Sequence, residues 1–135
     1  MRFLQPPDWA PPSGYANGVE AEGRLVFVAG QIGWDARQRL VGDGLAEQAE
    51  QALKNISAVL SEAGARPEHV VRLTWYVTDK KAYLAATREI GQAYRAVFGG
   101  HFPAMTLVEV ADLLEDGALV EIEATAVVPS GESAS

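Results

Sequence analysis

No cysteine occurs anywhere in the 135 residues, which excludes a disulfide, a thiol nucleophile and a thiolate metal site. Histidine is nearly as scarce. His69 and His101 stand far apart in the chain, without the i,i+4 spacing or neighbouring acids of a metal motif, so no metal site is expected. Positive charge is thin as well: 11 Lys and Arg face 18 Asp and Glu, a net charge of −7. A nucleic-acid interface needs a concentrated basic surface, and Lys80-Lys81 is too little to make one. No apolar run approaches the length of a membrane span, and the N-terminus has no basic region followed by an apolar core. The expected location is therefore cytoplasmic, with neither nucleic acid nor membrane as partner. No Gly-rich phosphate loop and no Ser-His-Asp set can be traced.

What remains is an ordinary globular composition, 48% hydrophobic and 21% charged, in a length that suits one domain. Residues 1–13 carry Pro6, Pro7, Pro11 and Pro12, which remove amide donors and predict an extended arm anchored by Phe3, Leu4 and Trp9. A single domain over 14–128 follows, then a polar tail over 129–135 that is expected to be mobile.

Tyr15 to Ala21 and Arg24 to Ala29 read as two strands joined by a tight turn at Glu22-Gly23. The second is apolar on both faces through Leu25, Val26, Phe27, Val28 and Ala29, which predicts a central strand covered on each side. Leu45, Ala49, Ala52, Leu53, Ile56, Val59, Leu60 and Ala63 then recur at three- and four-residue steps, the stripe of an amphipathic helix. Asp43 is placed to cap it, Glu47 suits its positive end, and Gly64 and Pro67 supply the stop. His69 to Thr78 alternates as a strand. A second helix is predicted from about Lys80 to Phe98, ended by Gly99 and Gly100. Met105 to Val110 and Leu119 to Val128 read as neighbouring strands that complete the sheet.

Two helices cover only one face of such a sheet. Leu73, Trp75 and Val77 share a face too apolar to stay wet. With helices over one side, the pattern predicts a second subunit over the other.

Several segments together resemble the RidA (YjgF) family of small imine and enamine deaminases. They are Gly14-Tyr15, Ala29-Gly30-Gln31-Ile32, Gln51-Ala52-Leu53-Lys54-Asn55-Ile56, Phe102-Pro103-Ala104 and Val120-Glu121-Ile122-Glu123-Ala124. Their order and spacing carry the resemblance over residues 14–127. It implies an α+β, chorismate-mutase-like fold: a sheet of about six strands with two helices on one face. It also implies a homotrimer with a central barrel, ligand clefts between adjacent subunits and no cofactor. Older descriptions of that family as ribonucleases gain no support from the acidic balance of this chain.

The resemblance also assigns residues. Glu121 matches the cleft glutamate that positions water or the imine nitrogen, a role a carboxylate can fill in C=N hydrolysis. Read alone, it is an exposed strand carboxylate. Tyr15 matches an N-terminal cleft Tyr, Thr106 and Val108 follow the Pro-Ala turn, and Trp34 stands where the family often has Pro. Trp34 reads equally as pocket floor or as an aromatic packed between subunits. The departure is Met105, where deaminating members carry Arg directly after Pro-Ala. A guanidinium binds a carboxylate with two charge-assisted hydrogen bonds, whereas Met offers an adaptable apolar surface. Losing one hydrogen bond to a charged group removes about 1.5–3 kcal/mol. Of the cations that could stand in, Arg72, Arg88 and Arg95 read as solvated or structural, and His101 is the candidate nearest the site in sequence. The expected activity is hydrolytic deamination of an imine or enamine other than the usual small 2-imino acids. The alternative is a non-catalytic trimer that binds a small molecule.

Overall fold

A computed structural model describes residues 1–131 of the chain. Its elements are β1 (Arg2–Leu4), β2 (Gly18–Glu20), β3 (Arg24–Gln31), α1 (Leu45–Glu62), β4 (Val70–Val77), α2 (Lys80–Ala85), α3 (Thr87–Phe98), β5 (Ala104–Glu109) and β6 (Val120–Val128), with one 3-10 turn at Pro67–His69. The fold is α+β. Six strands form among the described residues, but as a four-stranded sheet in the order β3-β6-β4-β5 and a separate β1-β2 pair. From residue 132 on, the predicted mobile tail lies outside the described residues.

The apolar stripe of α1 folds as its spacing dictates except at Val59, which stays exposed beside the buried row. Ala49, Ala52, Leu53, Ile56 and Leu60 are buried against the sheet. From the sheet, Leu73, Trp75 and Val77 of β4 and Val120, Ile122, Ala124 and Ala126 of β6 meet them. α3 adds Ile90, Tyr94 and Phe98 to the same layer. All of this core lies on one face of the sheet, the alternation of β4 and β6 sending their other residues to the opposite face.

Four local expectations are corrected. The start of α1 is capped by Gly44, whose amide donates to Glu47 Oε1 at 2.9 Å, and not by Asp43. The predicted helix over 80–98 is two helices that break at Ala86, whose amide donates to Tyr83 O in a tightened last turn. Neither Gly nor Pro marks that break, so three helices replace two. The Pro-rich arm is not wholly irregular, because Arg2–Leu4 pairs antiparallel with Gly18–Glu20. The Glu22-Gly23 turn consequently joins no hairpin. Gly23 has φ +149°, and a side chain there would run into the carbonyl of Val128, so the chain leaves the turn against β6 and β3 pairs with that strand.

Two long-range expectations are also corrected. β5 and β6 are not neighbours: β4 lies between them, antiparallel to β6 and parallel to β5. The α2–α3 crossover explains this, since strands joined through helices run parallel. β3 is an edge strand and not a central one. Its double-sided apolarity has a different origin: Val28 joins the core, while Leu25 and Phe27 are 62% and 72% exposed on the opposite, uncovered face. No described helix is long and apolar enough to cross a membrane.

Candidate active site

The uncovered face of the sheet carries the polar residues. Glu121 lies opposite Tyr76 in the β6–β4 register, and Glu123 lies opposite Thr74. Tyr76 donates its phenol proton to Glu123 Oε1 at 2.8 Å, and that bond holds the phenol above its ordinary pKa. Glu123 is thereby engaged. Glu121 accepts no hydrogen bond from any described residue, so both its oxygens stay available.

Beside Glu121, β3 slips register between Val28 and Gln31. The irregularity turns Ala29-Gly30 out of the ladder, as bulges next to sites commonly do. A Cβ added to Gly30 would collide with Glu121 Oε2. Only glycine lets the carboxylate lie so close to the backbone. The two residues border a hollow of about 430 Å³ shared with Gln31, Ile32, Trp34 and Gln38 on one rim and Leu114 and Glu115 on the other.

Side chains from α1 hold both rims. Asn55 Nδ2 donates to the carbonyls of Ile32 (3.1 Å) and Trp34 (2.8 Å). Gln48 is fully buried. Its Nε2 donates to Gly42 O (2.8 Å) and Gly117 O (3.0 Å), and its Oε1 accepts from the amide of Leu119 at 2.8 Å. Asp35 closes the turn after Trp34 by accepting from the amides of Arg37 and Arg39, which lowers its pKa. These hydrogen bonds tie down the loops that carry the rims of the hollow.

Tyr15 and Met105 meet elsewhere. Met105 faces the helices, half-buried at the margin of the core and paired with Leu73. Ala16 bridges Ala104 through its amide to Pro103 O (3.0 Å), which brings Tyr15 beside the start of β5. Tyr15 and Met105 line a second hollow, of about 690 Å³, between β5 and α3. Thr106 and Val108 point to the opposite face of β5, level with Thr74 and Tyr76.

One chain thus brings Glu121 and Trp34 together, and Tyr15 and Met105 together, but it does not join the two sets. His101 borders neither hollow. Its Nε2 is 2.7 Å from Val70 O and its ring meets Phe3 edge-on, so it ties the N-terminal strand to β4. Sequence reasoning set Arg95 aside, yet Arg95 lines the Tyr15–Met105 hollow together with Thr87 and Gly91. The available signal was its place one helical turn after Gly91. No group of His, Cys, Asp or Glu among the described residues is placed to hold a metal ion.

A sheet with helices on one face, a carboxylate set against a strand irregularity and a second hollow under the crossover helix make up this α+β domain. A solved structure of a Rid-family protein of Yersinia pestis, YyfB, superposes with a TM-score of 0.83 at 38% identity over 94% of this chain and 98% of that one. The solved YjgF gene product of E. coli gives a TM-score of 0.66 at 34% identity over 84% and 87%. A human 2-iminobutanoate/2-iminopropanoate deaminase is 36% identical over 105 residues, 77% of this chain and 73% of that protein. The family model described as Endoribonuclease L-PSP matches residues 7–128, and the chain belongs to this YjgF/RidA family.

Proposed function

We propose that the protein is a cofactor-free hydrolytic deaminase of an imine or enamine metabolite, acting as a homotrimer. The observation that carries this reading is the Glu121 carboxylate, unpaired and lodged against the bare α-carbon of Gly30 at the edge of a hollow. The names of the human relative and of its counterpart in Salmonella typhimurium, both 2-iminobutanoate/2-iminopropanoate deaminases, support the same chemistry.

The reaction adds water to a C=N carbon and expels ammonia, leaving a carbonyl. An enamine first takes a proton on carbon to become the imine. Glu121 takes a proton from the attacking water as the C–O bond forms, then returns one to the departing nitrogen. Trp34 shapes the same hollow, while Tyr15 and Met105 line the other. Completing one cleft from both hollows needs a second copy. The exposed Leu25 and Phe27 on the sheet face that holds Glu121 supply a surface for it, and three such faces would enclose a central barrel. Met105 in place of a guanidinium argues for substrates other than the smallest 2-imino acids.

The test is ammonia release from imines generated in situ. Glu121→Gln should lower turnover by about 10²–10⁴-fold, the usual contribution of a positioned acid–base group. Turnover unchanged in that variant would remove Glu121 from the chemistry. Saturable ligand binding without turnover in the unaltered protein would favour the rival reading, a non-catalytic binding trimer motivated by the same Met105.

A further inference from the structure

The hollow under α3 holds a single formal charge. Arg95 lines it, and no Asp or Glu does. Among the described residues the guanidinium has neither an ion-pair nor a hydrogen-bond partner. It folds back along α3 over Gly91, with Nη1 3.3 Å from where a side chain on that glycine would begin. Long helical side chains lean toward the N-terminus in this way, and the small residue leaves the planar fork uncovered on the side of the hollow.

The rest of the wall is apolar and aromatic. Tyr94 and Phe102 stack with ring centroids 5.2 Å apart, and Trp75 lies 6.5 Å from Tyr94. Trp75 is 4% exposed, and its Nε1 is a buried donor with no acceptor among the described residues. A buried donor left unpaired is costly, so native structures seldom keep one without a reason. An occupant with acceptor oxygens and a flat apolar body would match both features, the idle guanidinium and the aromatic lining.

We propose that Arg95 is the anion-recognition residue of this chain, and that the hollow takes a carboxylate carried on an aromatic or bulky apolar body. On the deaminase reading, which this deepens, the substrate class is an imino acid with a large apolar side chain. The apolar body rests on Met105, Phe102 and Leu107, and its carboxylate pairs with Arg95 from the helix side. The absent guanidinium on β5 is compensated from α3, at a place that favours a longer molecule.

Calorimetric titration of the full chain with phenylpyruvate, the oxo acid analogue of an aromatic imino acid, tests this without requiring turnover. The wild type should bind phenylpyruvate more tightly than pyruvate. Arg95→Gln should weaken phenylpyruvate by about tenfold or more, as expected for loss of a charged hydrogen-bond partner. Arg95→Lys should recover part of the loss, and the uncharged analogue phenylacetone should bind wild type and Arg95→Gln alike. Arg95 is exposed and supports no described contact in the core, so thermal melts of the variants should match wild type. Failure of the wild type to bind phenylpyruvate, or equal binding by Arg95→Gln, overturns the proposal. Arg95-dependent binding by a protein that releases no ammonia would uphold it while removing the deaminase reading.

Discussion

The carboxylate of Glu121 and the α-carbon of Gly30 lie so close that no side chain fits between them. Gly30→Ala should therefore push the flexible end of Glu121 aside and not disturb the fold. The expected result is a melting curve within about 1 kcal/mol of wild type and a loss of deamination approaching that of Glu121→Gln. Ammonia release and thermal unfolding of one preparation check both halves. Full activity in the alanine variant would mean that the carboxylate works from another position.

Gln48 is the second expectation. Its amide satisfies two carbonyls and one backbone amide from loops on either side of the Glu121 hollow, with no exposure to solvent. Gln48→Leu keeps similar bulk and takes the side-chain partner from two carbonyls and one amide of the backbone at part-buried positions. A loss of about 2–4 kcal/mol is expected, measured by urea unfolding. A loss below about 0.5 kcal/mol would show that water replaces the amide without penalty.

Association is tested at Phe27, which is 72% exposed in the single chain. For the proposed trimer, Phe27→Glu puts a charge where a neighbouring copy would have to desolvate it, and sedimentation velocity should report a shift toward monomer. A trimer that survives this substitution places its interface elsewhere.

Alkaline pH should weaken the fold through Tyr94. Burial raises its phenol pKa far above 10.0, and the hydroxyl donates to His101 O at 2.6 Å. Burial raises Tyr83 as well. The native state therefore holds protons that the unfolded chain releases. The stabilisation is complete below pH 10 and is lost as pH rises toward the folded values, by up to about 1.4 kcal/mol per pH unit for each proton. Denaturant unfolding at pH 7, 10 and 11 should show that decline. Tyr94→Phe should flatten it and lower stability at pH 7 by about 1 kcal/mol, the net value of a hydrogen bond. An unchanged slope in Tyr94→Phe would assign the alkaline loss to other groups.

Local patterns were legible because their causes are local. The three-and-four spacing of Leu53, Ile56 and Leu60 needs only helix geometry, and the alternation of β4 and β6 needs only the pleat. Pairing was not legible. Whether Arg24–Gln31 joins β2 or β6 depends on the room beside Gly23, which no periodicity encodes. The break at Ala86 left no trace because Ala suits a helix interior. At the site, the motif match indicated Glu121, Gly30 and Tyr15, but not that they border two separate hollows. Arg95 escaped because its meaning depends on how α3 is rotated over β5, and a helical wheel does not contain that angle.

The interruption at Ala86 has a consequence for traffic through the larger hollow. α2 is a six-residue helix with no fully buried side chain, held by the Asp79 cap and by the amide of Lys80 donating to Glu109. Yet it contributes Tyr83 to the wall that Arg95 and Gly91 complete from α3. So short a segment can melt and re-form without loosening the sheet, at a free energy far below that of global unfolding. The wall of the larger hollow thus rests on two helices of unequal length, with Tyr83 on the shorter and the guanidinium on the longer.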